Sequence, residues 1–159
     1  MNESVEQQKT KRKILLELES TNRYVFHGSP HLLEELEPRQ AQTMDSITAK
    51  MVDDGEPAVV TSPFVDIAIF RSIINRDNIR GNYSSSFSYR DNSLSFSTNL
   101  ETIGQAKEHK GYVYVFNKDD FERHSPMEYR LKNTVKPIEV IEVTSADLPS
   151  NIIISEEND

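Results

Sequence analysis

The chain has 159 residues with no cysteine and no tryptophan, and 26 acidic against 18 basic side chains give a formal net charge of −8. One domain near this length buries roughly 70% of its unfolded surface, so it can hold a core and a pocket without crosslinks. The missing cysteines exclude disulfides, thiolate metal sites and a cysteine nucleophile; the negative charge disfavours generic nucleic-acid binding; and no apolar run approaches the ~18 residues of a membrane span.

Met1 to Arg12 is polar and has no apolar signal core, which predicts a cytoplasmic protein, with secretion by a signal-independent route left open. Residues 3 to 20 lack Gly and Pro and are rich in Glu, Gln, Lys and Leu, which predicts an N-terminal helix. Its apolar positions Ile14, Leu15, Leu16 and Leu18 cluster late, so only the last turns need to pack. The basic run Lys9 to Lys13 reads as a solvated helix face rather than a nucleic-acid or membrane patch. Arg23 to His27 reads as a strand buried on both faces, ended by Gly28-Ser29-Pro30. His31 to Leu36 is expected to form a short helical turn.

Residues 39 to 57 carry a weak signal with two open readings, a loop beside a site or a surface connection containing a short helix. Ala58 to Thr61 is a second strand. Ser62 as N-cap and Pro63 at the first helical position then start a helix through Ile67, Ala68, Phe70, Ile73 and Ile74. Residues 75 to 93 are the most irregular stretch. A strand is expected from about Ser93 and a short helix within Asn99 to Lys110. Gly111 to Phe116 is the clearest strand in the chain, continuous in β-branched and aromatic residues, with Tyr112 and Tyr114 on one sheet face. Lys118 to Phe121 reads as a turn and Met127 to Arg130 as ambiguous. Ile138 to Val143 alternates strictly, as an edge or half-exposed strand does. Ser145 to Pro149 is a turn, and 150 to 159 an acidic tail expected to fray. Few, early helices and late strands predict a single α+β domain over 1–159.

Phosphate-loop, dinucleotide and His-Glu-x-x-His motifs are absent. His27 and His31 stand at i, i+4, but Ser29-Pro30 between them breaks any shared helix face, so no metal site is expected. Four segments remain in sequence: Tyr24-Val25-Phe26-His27-Gly28-Ser29-Pro30; Val59-Val60-Thr61-Ser62-Pro63 through Phe70; Gly111 to Phe116; and Glu128 with Val135 to Val140. In order and spacing they resemble the ADP-ribosyltransferase-like fold, particularly small bacterial members near the rifampin ADP-ribosyltransferases, over residues 23 to about 149.

The resemblance implies a split antiparallel β-sandwich of two small sheets that holds NAD in its cleft. It implies that His27 hydrogen-bonds a ribose hydroxyl, that Gly28 lets the backbone approach the nicotinamide amide, and that Ser29, Thr61 and Ser62 line the cofactor site. Phe70 would stack on the nicotinamide ring, and Glu128 would stabilise the cationic sugar as nicotinamide leaves. Glu122 is the alternative acid. Pro126 stands two residues before Glu128, so the arginine-modifying acidic pair is absent. The implied partners are NAD and an unknown acceptor: a protein, a nucleic-acid end or a small molecule. Taken singly, these residues also have plainer readings. His27 can be a structural hydrogen-bonding histidine, Phe70 plain core, Glu128 a solvated carboxylate and Ser62 a cap. A non-catalytic binding module on the same fold is the alternative to an enzyme.

Overall fold

The computed structural model describes residues 3–40, 42–44, 47, 50–53 and 55–155. Helix α1 (Glu3–Ser20) is followed by strand β1 (Tyr24–Ser29), the short strands β2 (Gln42–Met44) and β3 (Met51–Asp53), and β4 (Val59–Thr61). Helix α2 (Val65–Ile73) leads to β5 (Ser85–Arg90), β6 (Ser93–Asn99) and helix α3 (Leu100–Ala106). The strands β7 (Lys110–Asn117), β8 (Glu122–Ser125), β9 (Glu128–Leu131), β10 (Glu139–Thr144) and β11 (Ile152–Ser155) complete an α+β fold.

Strands β10, β7 and β1 form an antiparallel sheet in that order, and β4, β9 and β8 form another. Two backbone hydrogen bonds join them: the Phe26 N–H donates to the Ser62 carbonyl at 2.7 Å, and the Ser62 N–H donates to the Phe26 carbonyl at 2.8 Å. A third sheet runs β11, β6, β5, with β11 parallel to β6. That parallel pair departs from the all-antiparallel expectation and takes residues 152–155 out of the predicted frayed tail. Residues 156–159 lie outside the described residues.

Alternation along β1 and β7 places an apolar cluster on each sheet face. Phe26, Val113 and Val115 join Leu15, Val143, Phe96 and the buried side of α2. Val25, Tyr114 and Phe116 join Leu36, Val59 and Phe121 on the opposite face. Helix α2 is the center of the first cluster, with Val65, Ile67, Ala68, Ile69, Phe70 and Ile73 all buried. Each of its large side chains contributes about 1.5–3 kcal/mol of gross transfer free energy.

Helix α2 begins later than its sequence suggested. Pro63 and Phe64 stay outside it, with Phe64 extended at φ −100 and ψ 115, and Phe64 makes no side-chain cap. Ser62 Oγ instead accepts the Phe64 N–H at 3.1 Å. The cap comes from another element: Glu19 Oε1 on α1 accepts the Val65 N–H at 2.7 Å. Burial raises the Glu19 pKa despite that bond. Arg12 adds a bidentate pair to Asp66 in the first turn of α2, at 2.9 and 2.8 Å. One member of the basic run is thus spent inside the fold rather than on solvent.

His31 to Leu36 is not helical. The buried Tyr114 hydroxyl organises this segment, donating to the His31 carbonyl at 2.5 Å and accepting the Leu33 N–H at 2.6 Å. Among the described residues of 39–57 there is a β2–β3 ribbon and no helix. The irregular stretch 75–93 contains β5, paired to β6 through a turn in which Asp91 and Asn92 both have positive φ, 52 and 61. The short helix expected after Asn99 is α3, and the Asn99 side chain caps it by accepting the Thr102 N–H at 2.8 Å. Strand β10 lies at a sheet edge, as its alternation predicted.

Replacing Arg12 with Ala removes two charge-assisted bonds from the α1–α2 junction while leaving Asp66 helped by the helix N-terminus. The expected loss is about 1–2 kcal/mol, read as a lower urea midpoint with an unchanged slope.

Candidate functional site

The site follows from where β4 stops. Phe26 spends both backbone groups on Ser62. In an antiparallel ladder the N–H and C=O of one residue point to the same side, and successive residues alternate. His27 therefore bonds toward Tyr114 of β7, and Gly28, opposite Val113, again turns its N–H and C=O away from β7. Strand β4 no longer runs alongside there, because the chain leaves Ser62 for α2. A backbone donor and acceptor side by side thus face a cavity of about 80 Å³ lined by His27, Gly28, Thr61, Ser62, Arg71 and Glu128. Phe87 and Met127 supply apolar walls.

Gly28 is also fixed by packing. A Cβ on it would fall well inside contact distance of the Ala68 carbonyl oxygen of α2. The helix can lie this close to β1 only because the strand has no side chain there.

His27 sits on the other face of β1, with its ring edge-on to Tyr114 at 6.1 Å between centroids. Its Nδ1 is 2.7 Å from the Val60 carbonyl oxygen, which can only accept, so Nδ1 carries the proton. In the neutral ring Nε2 then keeps a lone pair. Burial lowers the His27 pKa; the Val60 bond opposes this, and the positive charges of Arg71 and Arg39 lower it further.

Glu128 begins β9, across the cavity from His27, with its side chain 26% exposed. Its Oε2 accepts the Arg130 Nε–H at 2.5 Å and lies 3.8 Å from His124 Nε2. Arg71, on α2, stacks its guanidinium over the Phe87 ring at 5.0 Å from the centroid. Burial lowers the Arg71 pKa, and the Glu128 charge partly offsets that.

The remaining expected site residues are placed as follows. Thr61 lines the cavity but donates its hydroxyl to the Tyr129 carbonyl at 3.0 Å. Ser62 lines it with Oγ held by Phe64. Ser29 is buried at the end of β1, accepts the His31 N–H at 3.1 Å, and borders an adjoining groove rather than the cavity. Phe70 is 1% exposed, packs on Phe96 at 5.0 Å and does not border the cavity. Glu122 lines a separate groove with Arg123 and Lys132. His31 pairs with Asp77 at 2.9 Å.

The adjoining groove, about 610 Å³, shares His27 and Val60 with the cavity and runs past Ser29, Leu33, Glu37 and Arg39. Ligand sites generally occupy about 300–1,000 Å³. The cavity alone suits a small planar group, and the groove has room for the rest of a larger molecule.

Two residues of the site lay outside the sequence expectations. Arg71 carried one signal, as the only basic residue in the largely apolar Val65–Ile73 segment. Arg130 carried a similar one, two positions from Glu128 on the same face of a strand. No protein-family model, curated protein or solved structure matches the chain.

Gly28→Ala should cost about 3 kcal/mol or more, because its new Cβ meets helix backbone and not a movable side chain; thermal unfolding without any ligand checks this. His27 adds a pH dependence. Its folded pKa lies below the unfolded value of about 6.5, so below that pH the unfolded chain binds the extra proton. Its contribution to stability should fall as pH drops from about 6.5 toward the folded pKa, and His27→Gln should flatten that part of a urea-midpoint profile.

Proposed function

We propose that this chain is an NAD-using, ADP-ribosyltransferase-like enzyme that breaks the nicotinamide–ribose bond and passes ADP-ribose to an acceptor. One observation carries the reading: the outward-facing backbone of Gly28, the His27 imidazole with Nδ1 held by Val60, and Glu128 border one cavity.

A primary carboxamide is the complement of an adjacent N–H and C=O, since it offers an acceptor and a donor at the same spacing. Nicotinamide carries that group on a flat ring of the size the cavity suits. His27 Nε2 accepts from a ribose hydroxyl. In the larger groove Arg39 supplies a cation for the diphosphate. Glu128 faces the sugar, where positive charge grows as the C–N bond breaks and its electron pair moves to the pyridinium nitrogen. A carboxylate held there favours that transition state more than the ground state. Phe70 has no part in this arrangement, and Phe87 and Met127 flank the ring in its place.

The Arg130 bond to Glu128 favours a second reading, a module that binds NAD without turnover. An arginine at 2.5 Å offsets the charge the reaction needs.

Titration with NAD, followed by two-dimensional NMR, should move the amides of His27, Gly28 and Met127, and His27→Ala should abolish those shifts. Glu128→Gln should keep NAD binding and lower nicotinamide release by about 10²–10³-fold. NAD binding with no nicotinamide released by the wild-type chain would establish the second reading. Unchanged spectra at millimolar NAD would defeat both.

A further inference from the structure

A second groove borders the cavity, away from the large one. Between α2 and β5 lies a groove of about 480 Å³, lined by Asn75, Tyr83 and Ser86 and sharing only Arg71 and Phe87 with the His27 cavity. Its chemistry is specific. The Arg71 guanidinium lies over the Phe87 ring and makes no ion pair among the described residues. A second arginine, Arg76, stacks over Tyr83 at 4.5 Å. The Tyr83 hydroxyl is held by Ser85 Oγ at 2.5 Å, which fixes that ring as a wall. Arg71 stays accessible to solvent although the surrounding protein lowers its pKa. A charge in that position gains from an anion, and its planar fork matches two oxygens of a carboxylate or phosphate.

We propose that this groove is the acceptor subsite, and that the acceptor is a small aromatic oxyanion, a carboxylate or phosphate monoester, held by Arg71 with its ring against Tyr83. The inference rests on the NAD reading above, in which the donor fills the cavity and the large groove and leaves this side open. It also accounts for the weak bases present. His27 gives its Nδ1 proton to Val60, and burial makes its other nitrogen a poor base; Glu128 is engaged by Arg130. A neutral alcohol or amine would have to lose a proton as it attacked. An oxyanion does not. Its lone pair forms the bond to the ribose anomeric carbon, the C–N bond breaks, and the electron pair passes to the pyridinium nitrogen. The cationic pyridinium is discharged, the oxyanion gives up one negative charge, and no proton moves.

The test uses the intact chain with phenyl phosphate and benzoate as probes and benzyl alcohol as the neutral control. NMR should show both anions moving the Arg71 side-chain Nε–H and the Tyr83 and Phe87 amides, with benzyl alcohol leaving them in place. Arg71→Gln, a change at an accessible helix position, should weaken both anions about tenfold or more. The shifts should persist at saturating NAD, because donor and acceptor must be bound together. An equal response to benzyl alcohol, undiminished binding in Arg71→Gln, or no response to either anion overturns the subsite. Displacement of the anions by NAD makes the groove part of the donor site and overturns the acceptor role. Anion binding by a chain that ignores NAD locates the failure in the donor reading, whereas NAD binding without anion binding locates it here.

Discussion

Two hydrogen bonds between Phe26 and Ser62 hold the site together. They join the β10–β7–β1 sheet to the β4–β9–β8 sheet, and so bring His27 on one and Glu128 on the other to the same opening. They also set the direction of every backbone group on that edge of β1. Because β4 ends at the joint, the next outward-facing pair, on Gly28, has no strand to bond. A backbone pair of this kind is a costly exposure for a fold unless water or a ligand satisfies it. Helix α2 closes the space above by resting on the bare backbone of Gly28, and at its other end on Gly111, where a Cβ would strike Ser72.

The local charge differs in sign from the global one. The chain as a whole is acidic, yet Arg71 and Arg130 surround a single carboxylate in the cavity, and the histidine beside them is held neutral by burial. On the proposed reading, the arginines favour an anionic ligand while Glu128 supplies the negative group that the sugar cation needs. The two arginines differ in commitment. Arg130 is bonded to Glu128 and sets its orientation, while Arg71 lies over an aromatic ring and, among the described residues, makes no ion pair.

How much of this was legible in the sequence depended on whether local chemistry decided the structure. His27 at a strand end was legible, since Tyr-Val-Phe runs into Gly-Ser-Pro, and so was Gly111 to Phe116. Strand β5 was obscured because serine fills its exposed face; Ser86 and Ser88 pair across to Ser97 and Ser95 there. Its turn signal was present in Asp91-Asn92, two residues suited to positive φ between strands. The start of α2 was misplaced because the cap came from Glu19, which local reading cannot find. Phe70, the stacking residue that the resemblance implies, does not border the cavity. Its apolar stripe with Ile73 and Ile74 faces the core, and the helix turns the next residue, Arg71, toward the opening.

The role of α1 bears on the order in which the molecule assembles. Apart from a smaller contact with the adjacent β1, its partners lie far ahead in the chain: Asp66 and Val65 on α2, then β10 and the 3₁₀ turn Ser145–Asp147. During synthesis this helix emerges before these partners. An isolated helix of 18 residues is marginal in water, so Leu15 stays unburied until α2, β7 and β10 supply its neighbours. The packing of α1, and with it the clamp on the roof of the cavity, is therefore a closing event, completed only once β10 and the Ser145–Asp147 turn have formed.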